Sequence, residues 1–126
     1  MKVPAEVIMG PVTIAVQRDG AVVAQTVLGY MLGDLAVTPA NAEASCRDGV
    51  LWTITHVPTG IGLGAGAALF RQGEDAVGAM YDIHTLFGRP HEISIEAFAP
   101  RQMDIVRICK RRRGCLPGES AYREAS

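Results

Sequence analysis

The stretch Pro11-Val-Thr-Ile-Ala-Val-Gln-Arg-Asp-Gly-Ala-Val-Val-Ala-Gln-Thr-Val-Leu28 decides the fold class. Val12, Ile14 and Val16 recur with the period of a half-buried strand. Arg18-Asp19-Gly20 is a reversal signal, and residues 21–28 continue as a β-rich return. An antiparallel hairpin is the natural outcome. Working outward, residues 6–9 read as the start of a strand, and 35–38 as a short further strand before Pro39. Residues 39–49 are small and polar and read as a loop or a single helical turn.

Residues 50–57 (Val-Leu-Trp-Thr-Ile-Thr-His-Val) are rich in β-branched and aromatic side chains, which suit a strand. Pro58-Thr59-Gly60 turns the chain, and 61–67 return as the second leg of another hairpin. In that leg Gly60, Gly62, Gly64 and Gly66 alternate, which predicts a strand with one bare face. A bare face admits a packed helix, a neighbouring subunit or a ligand, and tight internal packing is the commonest reason. Gly62-Leu-Gly64-Ala-Gly66-Ala67 superficially fits a dinucleotide fingerprint, but no βαβ unit surrounds it, so that function is set aside.

Residues 74–87 form the first helical pattern, with Val77, Met80, Tyr81, His84 and Phe87 on one face and Gly88 and Pro90 as terminators. Residues 92–98 alternate cleanly and predict another strand, and 100–113 predict a second, basic helix. The expected class is therefore α+β, with antiparallel β-hairpins forming a sheet packed against two helices at about 74–87 and 100–113. A single domain over 1–114 and a flexible tail at 115–126 complete the expectation.

With 126 residues, 48% of them hydrophobic and 20% charged, the chain has the composition of a folded globule with one core. The N-terminal Met-Lys-Val-Pro-Ala-Glu lacks the pattern of a signal peptide, and no apolar run reaches the length of a membrane span, so a cytoplasmic location is expected. Cys46, Cys109 and Cys115 have neither disulfide-framework nor zinc spacing. The three histidines share no i,i+2 or i,i+4 spacing, so no metal or cofactor is expected. His84 reads as a half-buried core residue with a satisfied ring nitrogen. His56, ending a strand at a turn, is placed to face a pocket, but its spacing indicates no partner nucleophile or acid, so catalysis is not expected.

Charge is distributed unevenly. The first 100 residues carry five basic and ten acidic side chains, whereas 101–113 carry six basic and one acidic. At ~100° per residue, Asp104, Arg107 and Arg111 fall on one stripe of the predicted helix, with Ile105, Ile108 and Cys109 turned away. Three readings compete. Lys110, Arg112 and Arg113 are well explained as a solvated helix end. Nucleic-acid binding is disfavoured by a pI of about 6.3 and few aromatic residues. A small anionic, nucleotide-like ligand uses the whole stripe: Arg107 and Arg111 as guanidinium forks, Asp104 as acceptor, and Tyr81 or Phe87 as a stacking ring. The alternative function is a protein–protein interaction module, such as an inhibitor of a host complex, that uses the basic helix.

On a late helix of a small hairpin-rich chain, Asp104-x-x-Arg107-x-x-x-Arg111 resembles the phage anti-Thoeris sponges, over a motif of eight residues. Proteins of that family counter TIR-based bacterial defence by sequestering a cyclic ADP-ribose-type signal without degrading it. The resemblance implies that Arg107 and Arg111 contact the ligand and that Asp104 assists, with Tyr81 and Phe87 the aromatic candidates by position. It further implies a homo-oligomer with pockets between subunits and additional binding of cyclic di- or trinucleotides.

Overall fold

The computed structural model describes residues 4–40, 51–64 and 68–116, with backbone alone for 15–18. Strands β1 (Ile8–Arg18), β2 (Ala21–Leu32), β3 (Leu35–Pro39), β4 (Trp52–His56) and β5 (Ile61–Gly62) form one antiparallel sheet in sequential order. Helices α1 (Gly73–Leu86) and α2 (Gln102–Arg111) follow, so the α+β arrangement read from the sequence is the one the chain adopts.

The first hairpin turns at Asp19 and Gly20, both at positive φ (50° and 79°), the mirror-image turn whose twist matches the flanking strands. β1 and β2 stay in register from Ile8↔Met31 to Arg18↔Ala21, but β3 pairs only with Tyr30, Met31 and Leu32. Beyond Pro11↔Leu28 the two strands therefore leave the body of the sheet as a ribbon, about 25 Å long at the usual rise per residue.

Leu32, Leu35, Val37 and Ile54 share a sheet face and join the core formed with Val77, Met80 and Ile83 of α1 and Ile105, Ile108 and Cys109 of α2. α1 lies across β2, β3 and β4, and α2 packs on α1. α2 buries only Ile105, Ile108 and Cys109, which fixes which of its faces is outermost. Burial pushes the Cys109 thiol up to about 12, so it stays protonated and packs as a small apolar group.

Two sequence expectations are corrected. Residues 92–98 form no strand: Ile95–Ala97 and Ala99–Arg101 are single 3-10 turns, and the second leads directly into α2. Ile93 is bonded by side chains instead of a neighbouring strand. Its N–H donates to Asp34 Oδ2 at 2.9 Å, and its carbonyl accepts from His56 Nε2 at 2.6 Å. Of the alternating Ile93, Ile95 and Ala97 only Ile93 is buried, and the other buried side chain of this short strap, Phe98, is out of phase with them.

The glycine-rich leg is likewise not a continuous strand. Leu63 N–H bonds the Ile54 carbonyl, and the next backbone pair with β4 among the described residues is the reciprocal one between Phe70 and Trp52, while Thr53 Oγ1 donates to the Ala68 carbonyl. Gly64 sits at φ 93°, and a Cβ there would lie 2.7 Å from that of Ala68. Glycine is required at this position for a tight internal turn, whereas residues 65–67 lie outside the described set. So do the loop expected over most of 39–49, Cys46 and residues 117–126 of the expected tail. Cys115 is paired to Leu69 through both backbone bonds, at 2.9 and 2.8 Å, so the ordered body continues past residue 114.

Candidate functional site

The five residues expected to hold a ligand engage different partners. Asp104 Oδ2 takes its short contact from Arg101 Nε, at 2.9 Å, while Arg107 Nη1 stands 3.8 Å from Oδ1. The carboxylate thus orients Arg101 rather than Arg107, whose side chain remains 72% exposed. The Arg101 guanidinium lies 6.0 Å from the centre of the Phe87 ring, and Phe87 packs edge-on against Phe98. Arg111 is exposed at the last turn of α2. Arg112 donates to Asp82 Oδ2 at 2.9 Å and covers Gly78, which ties α2 to α1 and holds this guanidinium more firmly protonated than usual.

Tyr81 stands elsewhere, on the wall of a cleft of about 380 Å³ enclosed by the lead into β1, the β2–β3 turn, the last half of α1 and the segment that follows it. The cleft is within the size range of small-molecule sites. Its walls are mainly apolar, from Ile8, Leu32 and Pro90, with Glu6, Tyr81, His84, Arg89 and His91 supplying polar atoms. Asp104, Arg107, Arg111 and Phe87 are not among the residues lining it.

The local chain geometry that builds this cleft begins where α1 ends. Gly88 and Arg89 occupy successive left-handed conformations, φ 84° and 57°, and Arg89 N–H bonds the His84 carbonyl at 2.9 Å. For a non-glycine residue that conformation costs ~1–2 kcal/mol, so surrounding contacts must hold it. They are visible: the Arg89 guanidinium sits 5.2 Å from the Tyr81 ring centre and its Nη2 donates to the Tyr81 hydroxyl at 2.7 Å. His84 Nε2 donates to the Pro90 carbonyl at 2.8 Å, which seats the turn against the helix. Gly33 closes the floor by close approach to Pro90, His84 and His91. A cation at the carbonyl end of α1 also opposes the helix dipole.

Glu6, Arg89 and Tyr81 line this cleft together, an acid, a guanidinium and a ring, the same kinds of group as were expected of the α2 stripe with an aromatic from α1. Of these, only Tyr81 was marked by sequence reasoning. Arg89 carried no signal except its place after Gly88, and Glu6 arrives by tertiary approach.

A second cleft, of about 420 Å³, is lined by Asp34, His56, Pro58, Glu92, Ile93 and Ser94. His56 does border a pocket, as expected, but the ring is 2% exposed, with Nδ1 on Thr59 Oγ1 at 2.8 Å and Nε2 on the Ile93 carbonyl. Nε2 is committed to the strap and Nδ1 to the turn that follows β4. Beside it, the Ser94 hydroxyl bonds the Glu96 carboxylate and lowers its pKa. Among the described residues no group of three His, Cys, Asp or Glu side chains is placed to hold a metal ion, and no helix is long and apolar enough to cross a membrane.

No protein-family model, curated protein or solved structure matches this chain.

Proposed function

We propose that the protein binds and sequesters, without chemical turnover, a small anionic nucleotide-like ligand in the cleft at Tyr81. The observation that carries this reading is the convergence of Glu6, Tyr81 and Arg89 on one largely apolar cavity. Arg89 supplies the donor fork for a phosphate or carboxylate, and its hold on the Tyr81 hydroxyl fixes the fork before the ligand arrives. Glu6 accepts from a base amine or a ribose hydroxyl, and the apolar wall of Ile8, Leu32 and Pro90 covers a base or sugar face. Cyclic ADP-ribose isomers and cyclic oligonucleotides are the probes suggested by the family resemblance, whose motif residues Asp104, Arg107 and Arg111 lie outside this cleft, and the role proposed with them is that of a cytosolic counter-defence protein. A homo-oligomer belongs to the same reading, supported by the exposed apolar side chains Met9, Val22 and Leu28 along β1 and β2.

Calorimetric titration with cyclic ADP-ribose isomers, cyclic dinucleotides and adenosine monophosphate tests this. At least one should bind saturably, and Arg89→Ala should weaken it by about 10–100-fold, the loss of a charged hydrogen bond. Arg107→Ala combined with Arg111→Ala should leave the affinity unchanged. No binding of any probe would sink the proposal, and binding that is lost only in the α2 double variant would move the site to that helix.

A further inference from the structure

Four of the five arginines in 101–113 sort into two groups by their contacts. Arg101 and Arg112 are held by Asp104 and Asp82, each at 2.9 Å, and serve the fold. Arg107 and Arg111 are not held in this way. Arg107 touches Asp104 only at 3.8 Å, and no acidic side chain among the described residues forms an ion pair with Arg111. The two lie four residues apart on one ridge of α2, where like charges repel and weaken a helix. Met103 begins the same ridge one turn earlier and is 66% exposed. An exposed methionine followed by two guanidinium groups at successive turns spans about 12 Å.

We propose that this ridge docks an acidic polypeptide segment carrying one apolar residue and two carboxylates at matching one-turn spacing. The carboxylates would relieve the repulsion between Arg107 and Arg111, and the apolar residue would cover the polarizable Met103 side chain. A protein segment fits better than a nucleic acid. The footprint accommodates two or three charges, whereas affinity for a duplex draws on many more phosphates. The chain before Arg101 carries ten acidic and five basic residues, which would repel a longer polyanion. The ridge is independent of the Tyr81 cleft, because none of its residues lines that cavity.

Fluorescence anisotropy with a labelled helical peptide of about 14 residues, bearing one Leu and two Glu at four-residue spacing, tests the proposal. Controls are a scrambled peptide of the same composition and a single-stranded DNA of similar length. The ordered peptide should bind saturably, more tightly than either control, and more weakly as salt is raised. Arg107→Ala with Arg111→Ala should weaken it about tenfold, and Arg107→Glu with Arg111→Glu should transfer preference to a peptide with Lys in place of Glu. Because these side chains are exposed, folding is checked by an unchanged circular dichroism spectrum and melting curve. Equal binding of the scrambled peptide, tighter binding of the DNA, no saturable binding, or no transfer of preference would each overturn the proposal.

Discussion

Gly33 and Gly20 both sit at positive φ, 57° and 79°, yet substitution there should have different consequences. At Gly20 an added Cβ meets nothing within 4 Å, so only the backbone preference is lost. At Gly33 the same atom would lie 3.0 Å from the Pro90 carbonyl oxygen and 3.2 Å from His84 Nε2. Gly20→Ala should cost ~1 kcal/mol and Gly33→Ala ~2–3 kcal/mol, as read from the midpoints of denaturant unfolding. Equal losses would show that the segment after α1 gives way freely. That outcome would undercut the cleft as a preformed site, because Gly33 sets how closely the Pro90 turn approaches the sheet.

The strap at 92–94 is held by Asp34 from the β2–β3 turn and His56 from the end of β4, and its stability should follow them. His56→Ala removes the donor to the buried Ile93 carbonyl and the ring that meets Phe98 edge-on at 5.3 Å. The expected loss is ~2–4 kcal/mol in equilibrium unfolding, typical of a buried acceptor left unpaired together with lost packing. A neutral result would mean that Asp34 alone secures the strap. The same element shows where sequence reasoning stopped. The Asp19-Gly20 hairpin, β4 and α1 were legible because their signals are local: turn chemistry, β-branched runs and a terminated 3.6-residue period. The strap was misread as a strand because Ile93 alternates correctly but finds its acceptor, Asp34, 59 positions away. The site was legible only in kind. An acid and two guanidinium groups were foreseen on α2 and a ring on α1, with Asp104 pointing to Arg107 by spacing. The structure commits that acid to Arg101, three residues earlier, an i,i+3 neighbour on the opposite side from Arg107, and spacing alone does not choose between the two. Arg89 reaches Tyr81 through two successive left-handed residues, which no periodicity announces.

At the scale of the molecule, the buried Cys109 makes stability depend on alkaline pH. Its native pKa is raised to about 12 by burial, while the unfolded thiol keeps its ordinary value of about 9. Below that ordinary value both states are protonated and nothing is lost. As pH rises through it, only the unfolded chain releases a proton, so unfolding is favoured by up to ~1.4 kcal/mol per pH unit until the native pKa is reached. Denaturant titrations at pH 8 to 10.5 should therefore show a steeper decline in the wild type than in Cys109→Ala, whatever the offset between them. Parallel slopes would mean that the thiol ionises without unfolding.

The sequential strand order has a kinetic consequence. Each strand pairs with the one made just before it, from β1 through β5, and both helices come after the surface they cover. Among the described strands β1 to β5 none waits for a distant partner, so the entropy of closing large loops within the sheet stays small. A chain emerging from the ribosome can build this sheet strand by strand, with every new edge presented to the residues synthesised next. Such an order leaves the cleft at Tyr81 to be completed only after α1 has formed, when the Arg89 turn closes over the end of that helix.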